Sequence, residues 1–396
     1  MQSNTEGDNN HAMGYFSLAA NTTGCYNTGI GCGTLCKNTD GCHNTALGLN
    51  TLHSNISGDN NFAAGQCALY SNWGGCHNTA MDCKALYSNT TGCYNTALGS
   101  YALYYNTTGG HNNATGYHAL YCNTTGNHNT GLGYRTLYSA NSGDYNFAAG
   151  TCALLSNWGG CYNTAIGYQA LKENTTGLHN AAIGNDALSY NTTGSYNNAI
   201  GHLALYCNTT GGCNTAIGEC ALWNNTTGLY NNAIGQQPMQ SNTTGCFNNA
   251  IGNQALYNNT TGNNNNAIGC GALQNNTTGY ENQAIGECAL CGNTTGGYNT
   301  ALGYNALKNS LSGCHNSAVG DSALCSNWGG CYNAAIGKRA LYCNTTGSCN
   351  TALGYNALYN SLSGCHNFAG GSNALYSNWG GNYNTGIGEY ALYGNT

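Results

Sequence analysis

The sequence predicts an all-β chain: a β-solenoid of about 23 coils, 17 residues per coil, without distinct caps. Three observations carry this. Glycine recurs every seventeenth residue from Gly7, Gly24 and Gly41 to Gly381, 23 times without insertion or deletion. Asparagine stands three places after each of these glycines, from Asn10 to Asn384. Apolar pairs recur within the units, as in Ala165-Ile166 and Ala170-Leu171. A fixed period of this kind marks stacked units that bury a shared core only by stacking. Residues 1–396 therefore read as a single repeat array.

With the recurring glycine as position 1, the unit is Gly-x-x-Asn-Thr-Ala-Ile-Gly-x-x-Ala-Leu-x-x-Asn-Thr-Thr. Glycine at positions 1 and 8 indicates a corner that needs positive φ or close backbone approach. Position 8 departs from glycine once, at Asp82, and Asp tolerates left-handed geometry better than most residues. The asparagine at position 4 predicts a ladder of side-chain amides along the stack. The few residues between corners suit short strands and exclude helices of ordinary length. Leu at position 12, replaced once by Met239, and Ile or Leu at position 7 are the expected apolar anchors.

A coupled size change is expected to locate the core. Phe62, Phe147 and Phe368 occupy position 5, and in those units position 7 shrinks to Ala64, Ala149 and Gly370. Residues i and i+2 share one face of a strand, so positions 5 and 7 are expected to share one packed interior volume. At about 4.8 Å per coil, 23 coils would make a rod about 110 Å long.

Four two-coil cassettes interrupt the Thr column at position 16. Trp73, Trp158, Trp328 and Trp379 take that position, and the coils before them carry Ile56, Asn141, Leu311 and Leu362. The four tryptophans with Ile56, Leu311 and Leu362 are candidate lateral contacts, since grouped exposed apolar residues mark interfaces.

Composition excludes several functions. Lys and Arg total 7 against 13 Asp and Glu, too few positive charges for a nucleic-acid surface. No apolar run is long enough for a membrane-spanning helix. Met1 to Asn4 already belong to the repeat and read as no signal peptide. A net charge of −6 gives little repulsion against self-association. Met1 falls at position 12 and Thr396 at position 16. The ends are thus expected to be open, and open solenoid ends invite end-to-end stacking into filaments.

The 24 cysteines suggest oxidising surroundings. Disulfide candidates lie six residues apart across a corner: Cys36/Cys42, Cys207/Cys213, Cys325/Cys331 and Cys343/Cys349. A competing scheme bridges adjacent coils, as at Cys25/Cys42, Cys76/Cys93 and Cys314/Cys331. Cys288-x-x-Cys291 and dipeptides such as Cys42-His43 do not give two ligand pairs at zinc spacing, so no metal and no cofactor are expected. No nucleophile, base and acid recur together, so no catalytic residue is assigned and the chain is not read as an enzyme.

Thirteen coils keep Asn-Thr-Thr at positions 15 to 17 and match the N-glycosylation acceptor. The candidates are Asn21, Asn89, Asn106, Asn123, Asn174, Asn191, Asn208, Asn225, Asn242, Asn259, Asn276, Asn293 and Asn344. Tyr or His at position 3, and Tyr at position 13 from Tyr70 to Tyr138, would stack as aromatic columns. They stiffen the rod or offer a surface for lateral packing or carbohydrate.

Through Asn163-Thr164-Ala165-Ile166-Gly167 and Ala170-Leu171, the repeat resembles Asn-Thr-Ala-Ile-Gly/Ala-Leu arrays of phage tail-fibre and bacterial surface proteins. It resembles, more distantly, the head repeats of trimeric autotransporter adhesins. The resemblance implies an elongated fibre, trimeric and adhesive, at a cell or virion surface. The expected function is a structural subunit of an extracellular or surface filament, a homopolymer joined end to end and laterally, with glycans as a further partner. The alternatives are an adhesive or receptor-binding fibre and, on the Thr columns at positions 16 and 17, an ice-binding repeat protein.

Overall fold

The computed structural model describes residues 3–395; the readings placed on Met1 and Thr396 lie outside them. The chain is a parallel β-solenoid of about 22 turns with 17 residues per coil and, among the described residues, no helix. It forms two compact units, Met1–Asn197 and Asn198–Thr396. The first carries strands β1 (His11–Met13) to β11 (Ala181–Ile183), the second β12 (Asn198–Ile200) to β23 (Thr385–Ile387).

Each strand is three residues long and occupies positions 5 to 7. Within each unit it pairs in parallel with its equivalent 17 residues on, without slip. Asn249 faces Asn266, Ala250 faces Ala267, and Ile251 faces Ile268. So short a strand turns only its middle residue inward.

That geometry places the core. Ala at position 6, Ala at position 11 and Leu at position 12 are fully buried, as at Ala250, Ala255 and Leu256. Two asparagine columns, at positions 4 and 15, are buried beside them. Both are ladders. The Asn248 amide Nδ2 donates to the Gly262 carbonyl at 2.8 Å, and the Asn248 backbone N–H donates to Asn231 Oδ1 at 3.0 Å. The Asn242 amide Nδ2 donates to Asn225 Oδ1 at 2.9 Å and to the Gly245 carbonyl at 3.0 Å.

The two glycine columns are obligatory for different reasons. Gly252, at position 8, has φ +138°. Gly245, at position 1, has no unusual φ, but a Cβ there would lie 2.5 Å from the Gly262 carbonyl oxygen of the next coil. Asp82 adopts φ 92° at position 8 and uses its Oδ1 to accept the Cys83 N–H at 2.7 Å.

The expectation that positions 5 and 7 form the core is corrected. Both face outward: Phe62 and Phe147 are each 37% exposed, and Ile30 is 43% exposed. The coupling between them is real but lies on the outer face. A Cβ on Gly370 would come within 3.3 Å of the Phe368 ring, so the ring lies over the space the missing side chain leaves. In the interior, two of the three coils with Gly at position 6 carry Thr at position 11; Gly386 keeps Ala391. Where position 6 is Gly29 or Gly131, position 11 of the same coil is Thr34 or Thr136. Their hydroxyls stand 2.9 Å from where the absent Cβ would be.

Truncating Leu256 to Ala should destabilise the second unit by about 2–5 kcal/mol, the range for a buried Leu. Ile251→Ala, on the outer face, should cost no more than about 1 kcal/mol. Denaturant unfolding of the two variants checks the assignment, and similar losses would overturn it.

Candidate interaction surfaces

The corner at positions 15 to 17 is held by one carbonyl per coil. The Thr260 carbonyl accepts the N–H groups of Thr243, Thr244 and Gly245 at 3.0, 3.2 and 3.3 Å, and the Thr243 hydroxyl at 3.1 Å. The position-16 threonine hydroxyls thus point along the axis into the next coil. This commitment weakens the case for the Thr column as a free hydroxyl lattice.

Each cassette removes two such hydroxyls, one at the tryptophan and one at Ile56, Asn141, Leu311 or Leu362 in the coil before. Trp73, Trp158, Trp328 and Trp379 are 56–64% exposed, and Ile56, Leu311 and Leu362 are 37–46% exposed. Leu311 and Trp328 line one shallow hollow with Gly292 and Asn309. Trp158 lines another with Cys122, Ser139 and Asn141. Every candidate contact therefore lies at the surface.

Three cassettes also break the inner ladder. Position 15 is Ala140, Ser310 and Ser361 in the coils that precede Trp158, Trp328 and Trp379. The carbonyl oxygens of Asn123, Asn293 and Asn344, one coil earlier, are left buried without a partner. The broken rungs were visible in the sequence as departures from Asn, but only the ladder gives them meaning.

Aromatic columns stack along the axis. At position 3, eight consecutive rings run from His77 through Tyr94, His111, His128, Tyr145, Tyr162 and His179 to Tyr196, with centroids 4.7–5.0 Å apart. At position 13, His53 and Tyr70 to Tyr138 stack at 4.9–5.3 Å. Ring faces inside a column are covered by neighbouring rings, so only edges face outward. That suits stiffening better than the face-on contact a sugar ring makes.

All 24 cysteines are free thiols, so the disulfide readings are corrected. Cys36, Cys42, Cys207, Cys213, Cys325, Cys331, Cys343 and Cys349 pair with nothing covalently. At position 2 the thiol has a hydrogen-bonding role instead. Cys42 Sγ accepts the Cys25 N–H at 3.2 Å, and its S–H donates to the Asp40 carbonyl at 3.4 Å. Asp59 fills the same role for Cys42, Asn263 for Cys246, and Ser348 for Cys331. Cysteine is one of several small acceptors the corner takes.

The thirteen asparagines of the Asn-Thr-Thr corners are the position-15 rungs. Each is fully buried. The amide nitrogen that would carry a glycan is enclosed and hydrogen-bonded, as at Asn242, so a sugar there is incompatible with the stack.

Compared with known proteins, the chain matches no family model and no curated protein. Among the described residues, no helix is long and apolar enough to cross a membrane.

Burial shifts titration in one consistent sense. It raises the thiols of Cys122, Cys207 and Cys343 above their ordinary 9.0. It likewise raises the phenols of Tyr70, Tyr104, Tyr121, Tyr359 and Tyr376 above 10.0. Burial, and then Lys37 and Arg135, hold His53 and His118 below 6.5. For the thiols and phenols the folded state keeps the proton more tightly, so their contribution falls as pH rises past 9.0. For the histidines the folded state resists protonation, so theirs falls as pH drops below 6.5.

Stability should therefore be greatest between pH 6.5 and 9.0, checked by thermal melts across pH 4 to 11; a maximum outside that window would contradict the burial. Ala140→Asn should restore a rung and satisfy Asn123 Oδ1, raising stability by about 1–3 kcal/mol. Calorimetry measures the gain, and no gain would mean that the lost rung is compensated elsewhere.

Proposed function

We propose that this chain is a structural subunit of an extracellular or surface filament, built by end-to-end stacking of its coils. One observation carries the reading: within each unit, outside the three broken position-15 rungs, coil meets coil through the same contacts. Strand register, the two asparagine ladders and the position-1 glycine approach all repeat at 17 residues. The upper face of a coil with both asparagines is thus complementary to the lower face of any other such coil. Complementary faces at opposite ends form a heterologous contact, and one that translates without closing propagates as a fibre.

The resemblance to phage tail-fibre and bacterial surface arrays supports the location. The low charge supports self-association over recognition of a charged ligand. Electron microscopy of the purified chain should show rods longer than about 110 Å, the length 23 coils span at strand spacing. Particles no longer than that at high concentration would overturn the reading.

A further inference from the structure

The outer face of the strands carries an apolar stripe with no function assigned above. In the second unit, position 7 holds Ile, Leu or Val in ten successive coils, from Ile200 to Leu353, each part-exposed or exposed. At strand spacing this stripe is about 48 Å long. No residue at position 5 or 7 anywhere in the chain is Lys, Arg, Asp or Glu. Contiguous exposed apolar surface on this scale marks an interaction site.

Two further observations say what covers it. The first is the outer-face exchange of Phe at position 5 for Ala or Gly at position 7. The Phe368 ring lies over Gly370, one coil beyond the stripe. Where position 7 shrinks to Ala64, Ala149 or Gly370, a Phe at position 5 of the same coil keeps the face apolar, a replacement that a face turned to water does not need. The second is the polar column beside the stripe. Asn232 donates to Asn249 at 2.9 Å, Asn249 to Asn266 at 2.8 Å, and Asn266 to Gln283 at 3.0 Å. These amides bond one another along the axis, so removing water from the face leaves few polar groups unsatisfied.

A partner for this face must be flat, uncharged and repetitive at strand spacing. We infer that it is a second copy of this chain, packed through the same strand face to form a dry, isologous sheet-to-sheet contact. Paired sheets with interdigitating, uncharged side chains are a stable mode of β assembly. The stripe of the second unit alone offers roughly 500 Å² per copy, or about 1,000 Å² for a pair, enough for a specific contact. This pairing is lateral and needs no end-to-end stacking, so it stands apart from the filament reading.

The test uses the full chain and two triple variants, Ile234→Lys/Ile251→Lys/Ile268→Lys and Ile234→Thr/Ile251→Thr/Ile268→Thr. Thr occupies position 7 natively at Thr115, so the second set keeps the fold should the lysines disturb it. Light scattering and electron microscopy should show wild type with twice the mass per unit length of the lysine variant. The threonine variant should weaken pairing at least tenfold, with circular dichroism unchanged. A benzophenone side chain in place of Ile251, in mixed light and heavy chains, should cross-link to positions 5 and 7 of another copy. Wild type of single-chain width, variants of unchanged width, or cross-links to other columns would each overturn the pairing. Long rods of single width would leave end-to-end stacking standing alone, and short pairs would leave pairing alone.

Discussion

The fold depends on one carbonyl per coil, that of the position-1 glycine. The Gly262 carbonyl accepts Asn248 Nδ2 at 2.8 Å and Asn259 Nδ2 at 3.0 Å, so both asparagine ladders converge on it. The Gly245 backbone of the coil before passes so close that a Cβ would sit 2.5 Å from this oxygen. A side chain at position 1 would thus collide with an atom on which two buried amides depend. Losing those bonds would leave buried polar groups unpaired, at about 1–3 kcal/mol each. This makes position 1 invariant along the chain while position 9 ranges from Tyr15 to Glu219 and Lys338.

The ladders also offset a local cost that no single residue reveals. Positions 3, 10 and 12 hold left-handed backbone, at Phe247 with φ 58°, Gln254 with φ 53° and Leu256 with φ 51°. Left-handed geometry costs an ordinary residue roughly 1–2 kcal/mol. It persists here because the next coil fixes both sides of the turn: the Leu256 N–H donates to the Ala272 carbonyl at 2.9 Å, and its side chain is fully buried. Stability in such an array belongs to the interface between coils rather than to the coil. A coil alone would hold the strain without the bonds that oppose it.

The period, the parallel stacking, the position-4 ladder and the buried Leu at position 12 were legible in the sequence, because each repeats as an unbroken column. The direction of positions 5 and 7 was not. Ile166 is the larger apolar residue and Ala165 the smaller, so size points to the wrong one as core. The interior is too narrow for Ile at position 6, and a three-residue strand has only one inward place. Position 6 itself, Ala in every coil but Gly29, Gly131 and Gly386, is too uniform to stand out beside the phenylalanines. The Asn-Thr-Thr corners misled for a related reason. A glycosylation acceptor and a ladder rung use the same residue, and only burial of the amide tells them apart.

Position 7 then stands out among the columns. Glycine at 1 and 8, asparagine at 4 and 15, and the small and leucine residues at 6, 11 and 12 are each required by contacts between one coil and the next. Ile or Leu at position 7 meets no such requirement, since Thr115 and Gly370 occupy the same place with the strand intact. Strand preference explains a β-branched residue but would accept Thr as well as Ile. An aliphatic side chain kept on an outward face, through ten successive coils of one unit, meets its equivalents in the adjacent coils and leaves its outer side to water. The lateral pairing proposed above would bury that outer side, which stacking alone leaves exposed.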